Sequence, residues 1–295
     1  MIIKAIVNPK SGMRIMRAVV QQTLRLLKEE GWLDDADIRY TTPDGLPDSD
    51  EWMRQPCDVL FVAGGDGTLH LLVSLMQRHG IDVPVAYLPT GTMNDMGHNL
   101  SLPRNPAGFV RMIRKQSVKR IDLGSIEGEY FHYVVAGGLM SRICYTTPQK
   151  AKSLMGRLGY YLEILAHLPA MFGGTQVLLE WDDGEAAREA LVFMVSNAST
   201  LAGFPHMAPQ ARLDDGLLDV LVIGRMSAWR MINVFFRVLS GTHTTHRDVV
   251  YFQTRSITIR PVTQKTLPLV VDGEKGPLMP VRIEVVPRAL SILVP

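Results

Sequence analysis

Cysteine is nearly absent: Cys57 and Cys144 are the only two in 295 residues. Two thiols supply neither a disulfide framework nor the ligand spacing of a zinc site, which fits a reducing cytoplasm. No run approaches the ~20 apolar residues of a membrane span. The longest candidate, LGYYLEILAHLPAMF, is interrupted by Glu163 and His167. The first residues, MIIKAIVNPK, enter a strand-like run at once and lack the apolar core and cleavage site of a secretory signal. No sign of charge dominates either. The 31 Lys and Arg face 29 Asp and Glu, and a net of +2 is too balanced to imply nucleic acid as a partner. These absences leave a soluble chain, expected in the cytoplasm, for which peripheral contact with a membrane remains open.

What is present is a globular composition, 46% hydrophobic and 20% charged. Over the first 125 residues, apolar strand-like runs alternate with segments of helical periodicity. The strands are 2–8, 36–41, 57–65, 83–89 and 118–124; the helices are 16–31, 67–80 and 105–116. Such alternation with short connections predicts a parallel sheet covered by helices, with ligands at the C-terminal ends of the strands. Beyond 125 the pattern changes to many short strands separated by turn signals, with helices over 149–172 and 228–241. That pattern predicts a β-rich sandwich. The expected division is therefore an α/β domain over 1–125 and a β-rich domain over 126–286, with the final strand, 287–295, returning to the first.

Three glycine-containing turns fall at predicted strand ends: NPKSG (8–12), GGDGT (64–68) and LPTGTMND (88–95). Their backbone N–H groups can approach an anion closely. None fits G-x-x-x-x-G-K-[ST] or G-x-G-x-x-G, which excludes a Walker A loop and weakens a dinucleotide fingerprint. Taken singly, each is an ordinary turn, with Asp66 as a helix N-cap. Taken together on one sheet edge, they predict a site for nucleotide phosphates. An acid at position 66 then needs a reason to stand there. Later, VVDGE (270–274) and LDDGLLDV (213–220) both read as hairpin turns on their own residues. The spacing of His243 and His246 is that of a loop.

NPKSG, GGDGT and PTGTMND, in this order and spacing, resemble the catalytic domain of diacylglycerol and sphingosine kinases. The chain is similar above all to the soluble bacterial lipid kinases of the diacylglycerol kinase type, and the similarity continues through LDDGLLDV and VDGE. GGDGT is shared with NAD kinases and distantly with phosphofructokinases, whereas the GT-x-ND loop and the late DGE favour lipid kinases. The resemblance implies an ATP-binding α/β domain with a parallel sheet of the NAD kinase and phosphofructokinase kind, joined to a β-sandwich domain. It implies ATP bound by Asn8, Pro9, Lys10, Ser11 and Gly12, by Thr41, by Gly64, Gly65, Asp66, Gly67, Thr68, Leu69 and His70, and by Thr92 and Asn94. Asp66, Asp95 and Asp122 would hold Mg²⁺ through water, which accounts for the acid in the glycine turn. Glu274 would be the general base, with Asp272 orienting or assisting it. A second, structural magnesium site would use Asp215 and the backbone carbonyls of Arg212 and Leu217.

The expected activity is ATP- and Mg²⁺-dependent phosphorylation of a lipid hydroxyl, in the simplest case that of a diacylglycerol, with the lipid met at a membrane surface. Two rivals are a NAD kinase and an ATP-binding regulatory protein without turnover. A sphingoid base, a monoacylglycerol or an isoprenoid alcohol remain open as acceptors. Lys150, Lys152 and Arg157, ahead of an apolar segment, suit anionic headgroups. Exposed strand edges permit a homodimer.

Overall fold

The computed structural model describes residues 1–11, 15–141, 174–263 and 267–295. Gly12, Cys144, the expected helix over 149–172 and its basic group at Lys150, Lys152 and Arg157 lie outside the described residues. Two units are distinguished: Met1–Ile121 with Arg288–Pro295, and Asp122–Pro287.

In the first unit, strands β1 (Ile2–Val7), β2 (Asp35–Tyr40), β3 (Val59–Gly64) and β4 (Val85–Pro89) alternate with helices α1 (Ile15–Glu29), α2 (Ser49–Arg54) and α3 (Asp66–His79). The strands are parallel in the order β2-β1-β3-β4. The end of β15 (Val281–Leu293) adds to β4 in parallel, with Ile292 opposite Val85. All residues of β3 and β4 are buried, so these central strands are continuous apolar runs, as a sheet covered on both faces requires. The edge strand β2 is only partly buried. In α3, Leu69, Leu72, Val73 and Met76 form the buried stripe. Gly80 ends the helix in the left-handed conformation that glycine adopts without strain, at φ 62°.

The boundaries depart from expectation at three places. Gly65, not Asp66, is the N-cap of α3, and the Asp66 carboxylate accepts from Asp95 N and Met96 N instead. The five-residue helix α4 (Asp95–Asn99) lies inside the PTGTMND segment, and α2 has six residues. Both are too short to show a 3.6-residue period. The last helix of this unit, α5 (Pro106–Lys115), is capped by Asn105, whose side chain accepts from Gly108 N.

Strand β5 (Val118–Ile126) leads into the second unit, which is antiparallel. Its strands include β6 (Glu129–Phe131), β7 (Val134–Gly138), β8 (Thr175–Trp181), β9 (Gly184–Ser196), β10 (Leu218–Gly224), β11 (Val249–Thr254), β12 (Ser256–Pro261), β13 (Pro268–Val271) and β14 (Glu274–Leu278). β9 pairs with β8 over its first half and with β7 and β10 over its second. β12 and the early part of β15 alternate strictly. Ile257, Ile259, Val281 and Ile283 enter one core, while Arg282 and Glu284 face solvent. The observed architecture is thus an α/β unit with a parallel sheet and a β-sandwich-like unit.

Helix α6 (Ala228–Ser240) is followed by one 3-10 turn over His243–Thr245, where the sequence suggested only a loop. His243 is fully buried, and its Nε2 donates to the Met207 carbonyl at 2.9 Å. Burial lowers its pKa from the ordinary 6.5, against the opposing pull of the Met207 and Arg237 carbonyls. A depressed folded-state pKa gives stability that is present above 6.5 and lost as pH falls, because only the unfolded chain takes up the proton. The melting temperature should therefore drop between about pH 7 and about pH 5. In His243→Gln that part of the slope should vanish, as read by thermal denaturation across the pH series.

Candidate functional site

The loops after β1, β3 and β4 meet at the C-terminal edge of the parallel sheet. Asn8 Nδ2 donates to Thr68 Oγ1 at 3.2 Å, Ser11 and Thr90 share a hydroxyl hydrogen bond of 3.2 Å, and Thr90 N donates to Gly64 O at 2.8 Å. All three turns predicted to hold phosphate are therefore tied together. Thr41, at the end of β2, is joined to the same edge through its N–H on Val7 O.

The glycines make this convergence possible. A Cβ at Gly91 would stand 2.6 Å from Gly65 Cα, and one at Gly65 would stand 3.2 Å from Gly91 Cα. The two loops thus pack backbone on backbone. A Cβ at Gly64 would lie 2.3 Å from Thr68 Oγ1, so Gly64 leaves the room in which Thr68 folds back towards Asn8. Asn94 clips the second loop: its Oδ1 accepts from Gly91 N and its Nδ2 donates to Gly91 O, both at 2.6 Å. Asn94 itself is left-handed, at φ 52°, a conformation its short amide tolerates.

Asp66 is buried and joins the first helix turn of α3 to α4. Its Oδ2 accepts from Asp95 N at 3.2 Å and its Oδ1 from Met96 N at 3.3 Å. Asp95 is wholly buried beside it. The phenol of Tyr87, also buried, has a pKa raised well above the usual value. Burial is the main cause; the charges of Asp66 and Asp95 add to it, and Arg104 opposes. Of the other residues named from sequence, Lys10 and Thr92 are exposed and His70 is half-buried. Leu69 is wholly in the core, so only its backbone can face a ligand.

The second unit holds two further clusters. Asp272 and Gly273 have φ of 49° and 85° and close a two-residue turn between β13 and β14, with Val271 opposite Glu274. The Asp272 carboxylate is buried and accepts from the backbone N–H groups of His132 (2.8 Å), Tyr133 (3.1 Å) and Val134 (3.0 Å). It also lies 2.6 Å from His132 Nδ1. Glu274, two residues on, is exposed. The geometry therefore divides the pair: one carboxylate saturated with donors, the other open to solvent.

Asp122 is also buried. Its N–H donates to Leu213 O at 2.6 Å, and its Oδ2 accepts from Gly216 N at 2.7 Å. Asn197 Nδ2 donates to its carbonyl. This places Asp122 on the LDDG turn, a contact that the sequence did not suggest. Asp215 lies on the same turn and accepts from Leu217 N at 3.1 Å. Burial raises the Asp215 pKa, with the Asp122 charge adding to it and the Leu217 N–H opposing. Arg212 is exposed, its guanidinium 3.8 Å from Asp214. Sequence reasoning also missed Tyr87, His132 and Asn197, since no spacing links a strand residue to a turn far along the chain.

Comparison with known proteins agrees with this organisation. Residues 3–126 match the model of the diacylglycerol kinase catalytic domain, and residues 134–294 match that of the YegS C-terminal NAD kinase beta sandwich-like domain. A diacylglycerol kinase of Staphylococcus epidermidis is 30% identical over 292 residues, covering 99% of this chain and 92% of the relative. One from Staphylococcus saprophyticus is 30% identical over 277 residues, covering 94% and 90%. A crystal structure from Bacillus anthracis strain Sterne superposes with a TM-score of 0.83 over 99% of this chain and 95% of its own, at 24% identity, and so shares the fold.

Two substitutions test the local geometry. Gly91→Ala should force the paired loops apart, lower stability by about 1–3 kcal/mol and weaken nucleotide binding, measured by denaturant titration and calorimetry with ATP. Asp272→Ala strips the donors of His132, Tyr133 and Val134 of their acceptor. It should cost about 3 kcal/mol in the same denaturant titration.

Proposed function

Because the chain belongs to the diacylglycerol kinase family and is a lipid kinase, we propose that it transfers the γ-phosphoryl group of ATP to the hydroxyl of a diacylglycerol-like lipid, with magnesium as the required ion. The observation that carries the nucleotide half is the junction of the loops after β1, β3 and β4, with buried Asp66 and Asp95 beside it. Phosphoryl transfer is mainly a matter of positioning and charge neutralisation. The backbone of Gly64, Gly65 and Gly67 and the side chains of Asn8, Ser11, Thr68 and Thr92 supply donors for phosphate oxygens. Lys10 adds a positive charge that is exposed at the same edge.

Asp66, Asp95 and Asp122 would hold magnesium. Each offers only carboxylate oxygen, the donor that a hard divalent cation takes, and Asp66 and Asp95 are buried side by side, so these two fit the ion; Asp122, buried in the second unit, is assigned with them on the family resemblance alone. The Asp66 oxygens already accept from Asp95 N and Met96 N, which orients them and suits contact through water. When bound, magnesium neutralises phosphate charge and orients the phosphate oxygens. Asp215 with the Arg212 and Leu217 carbonyls would hold a second ion on the turn that Asp122 braces.

Glu274 would remove the proton of the lipid hydroxyl as its oxygen attacks phosphorus. Its exposure leaves the carboxylate available to an acceptor. Asp272 is a positioning residue: its carboxylate fixes the turn from which Glu274 projects. A lipid acceptor is supported by the second unit as well. There, the inner side of α6 and strands β9 and β10 enclose a recess lined by Leu191, Met194, Ile223, Met231, Phe235 and Val238. A carbon-lined recess suits an acyl chain and offers nothing to the charged groups of a soluble dinucleotide.

Incubation of the purified chain with labelled ATP, magnesium and a panel of lipids should give a phosphorylated diacylglycerol. Absence of any lipid product would remove the proposal. Glu274→Gln should lower kcat about 10²- to 10⁴-fold with little change in KM for ATP. Asp66→Asn should keep its circular dichroism spectrum and raise the magnesium concentration for half-maximal rate about 10- to 100-fold.

A further inference from the structure

Helix α6 is apolar on two sides. Its inner side, Met231, Val234 and Val238, is buried, and Phe235 packs edge-on against Phe204 at 5.9 Å between ring centroids. Its outer side carries Trp229, Ile232, Phe236 and Leu239, spaced i, i+3, i+7 and i+10, so that all four share one face. Trp229 is 81% exposed, Phe236 63% and Leu239 38%, the first two being the most exposed large apolar side chains among the described residues. A helix facing water alone carries charge along such a face; an indole and a phenyl ring there mark contact with another apolar phase.

The charges around the stripe are mostly of one sign. α6 carries Arg230 and Arg237 and no acid. Arg225 and Arg247 stand beyond its ends. Among the described residues, the acids paired with these arginines are Glu189, 3.0 Å from Arg225, and Asp248, which lies 3.6 Å from Arg230, 3.8 Å from Arg247 and 3.9 Å from His246. Four arginines against two carboxylates leave a positive margin around an aromatic and aliphatic ridge. This is the composition of a helix that lies in the plane of a membrane interface, its rings among the acyl chains and its arginines at anionic headgroups. Among the described residues no helix is long and apolar enough to cross a membrane, so the contact is one of docking.

We propose that α6 docks this enzyme onto bilayers that contain anionic lipid. The inference rests on the reading of the acceptor as a membrane lipid, and it adds a place for that lipid to enter. The side of α6 away from the ridge walls the carbon-lined recess, so one helix joins the lipid surface to the recess. Charge complementarity and this continuity select a bilayer over a second copy of the chain, which would bring the same four arginines face to face.

Flotation of the full chain with phosphatidylcholine vesicles, with and without phosphatidylglycerol, tests the proposal. Wild-type protein should float with the anionic vesicles and lose that binding at high salt. Trp229→Ser with Phe236→Ser should reduce binding at least about ten-fold, in line with the loss of two interfacial aromatic anchors. Arg230→Gln with Arg237→Gln should abolish the preference for anionic vesicles. Fluorescence should shift to the blue on vesicle addition, and the shift should disappear in Trp229→Phe, a variant that leaves the apolar face intact.

Activity separates docking from substrate identity. The serine double variant should lose turnover of diacylglycerol in vesicles while retaining it for a short-chain diacylglycerol dispersed as monomers. Vesicle binding by that variant equal to wild type would overturn the docking assignment. So would a wild-type dimer, detected by sedimentation velocity, that the same variant dissolves without any change in vesicle binding. No turnover of any diacylglycerol by wild type, with vesicle binding intact, would instead overturn the substrate reading and leave the docking surface standing.

Discussion

The candidate phosphate-binding edge depends on one steric fact: Gly65 and Gly91 touch through their backbones. A single methyl group at position 91 would come within 2.6 Å of the facing Cα. This close approach lets Thr90 N reach Gly64 O and brings Asp95 N and Met96 N onto the Asp66 carboxylate. Backbone amides turned towards a shared edge are what phosphate recognition needs, and only residues without Cβ allow two such loops to converge. The central strands beneath, buried along their whole length, make the platform rigid.

A buried acid does the corresponding work in the second unit. Asp272 gathers three backbone N–H groups and the His132 ring, and so joins the β13–β14 turn to the residues leading into β7. Such a carboxylate is costly to remove from water, and the fold offsets that cost with charge-assisted hydrogen bonds. The consequence for function is indirect. Glu274 projects from a turn whose backbone is held on both sides, so an exposed carboxylate can still have a defined position.

Both sides of α6 bear on the same chemistry. A lipid kinase must take an acceptor whose hydroxyl is polar and whose bulk is not. The second unit presents carbon within, at the recess, and carbon without, along Trp229, Phe236 and Leu239. The arginines at the edge of the ridge remain hydrated in solution and suit an anionic surface. Neither feature calls for a membrane-spanning segment.

By itself, the sequence determined the class of fold, the order of the longer elements and the residue types available at the candidate site. Periodicity distinguishes buried strands from amphipathic helices because both patterns are local, and glycines at strand ends announce turns for the same reason. The resemblance of NPKSG, GGDGT, PTGTMND and DGE then named a family that the comparisons bear out. Only the tertiary structure decided which groups meet. Asp122 bonds the Gly216 amide, Asp272 bonds amides at 132–134, and Tyr87 lies in the field of Asp66 and Asp95. Asn94 clips Gly91 and has no cap to make on its own helix. α2 and α4 were also invisible, being shorter than two turns and held by tertiary contacts more than by periodicity. The outward face of α6 belongs with these. Its spacing is written in the residues, but a helix with apolar groups on two sides does not say which side is buried until the sheet it packs against is in place.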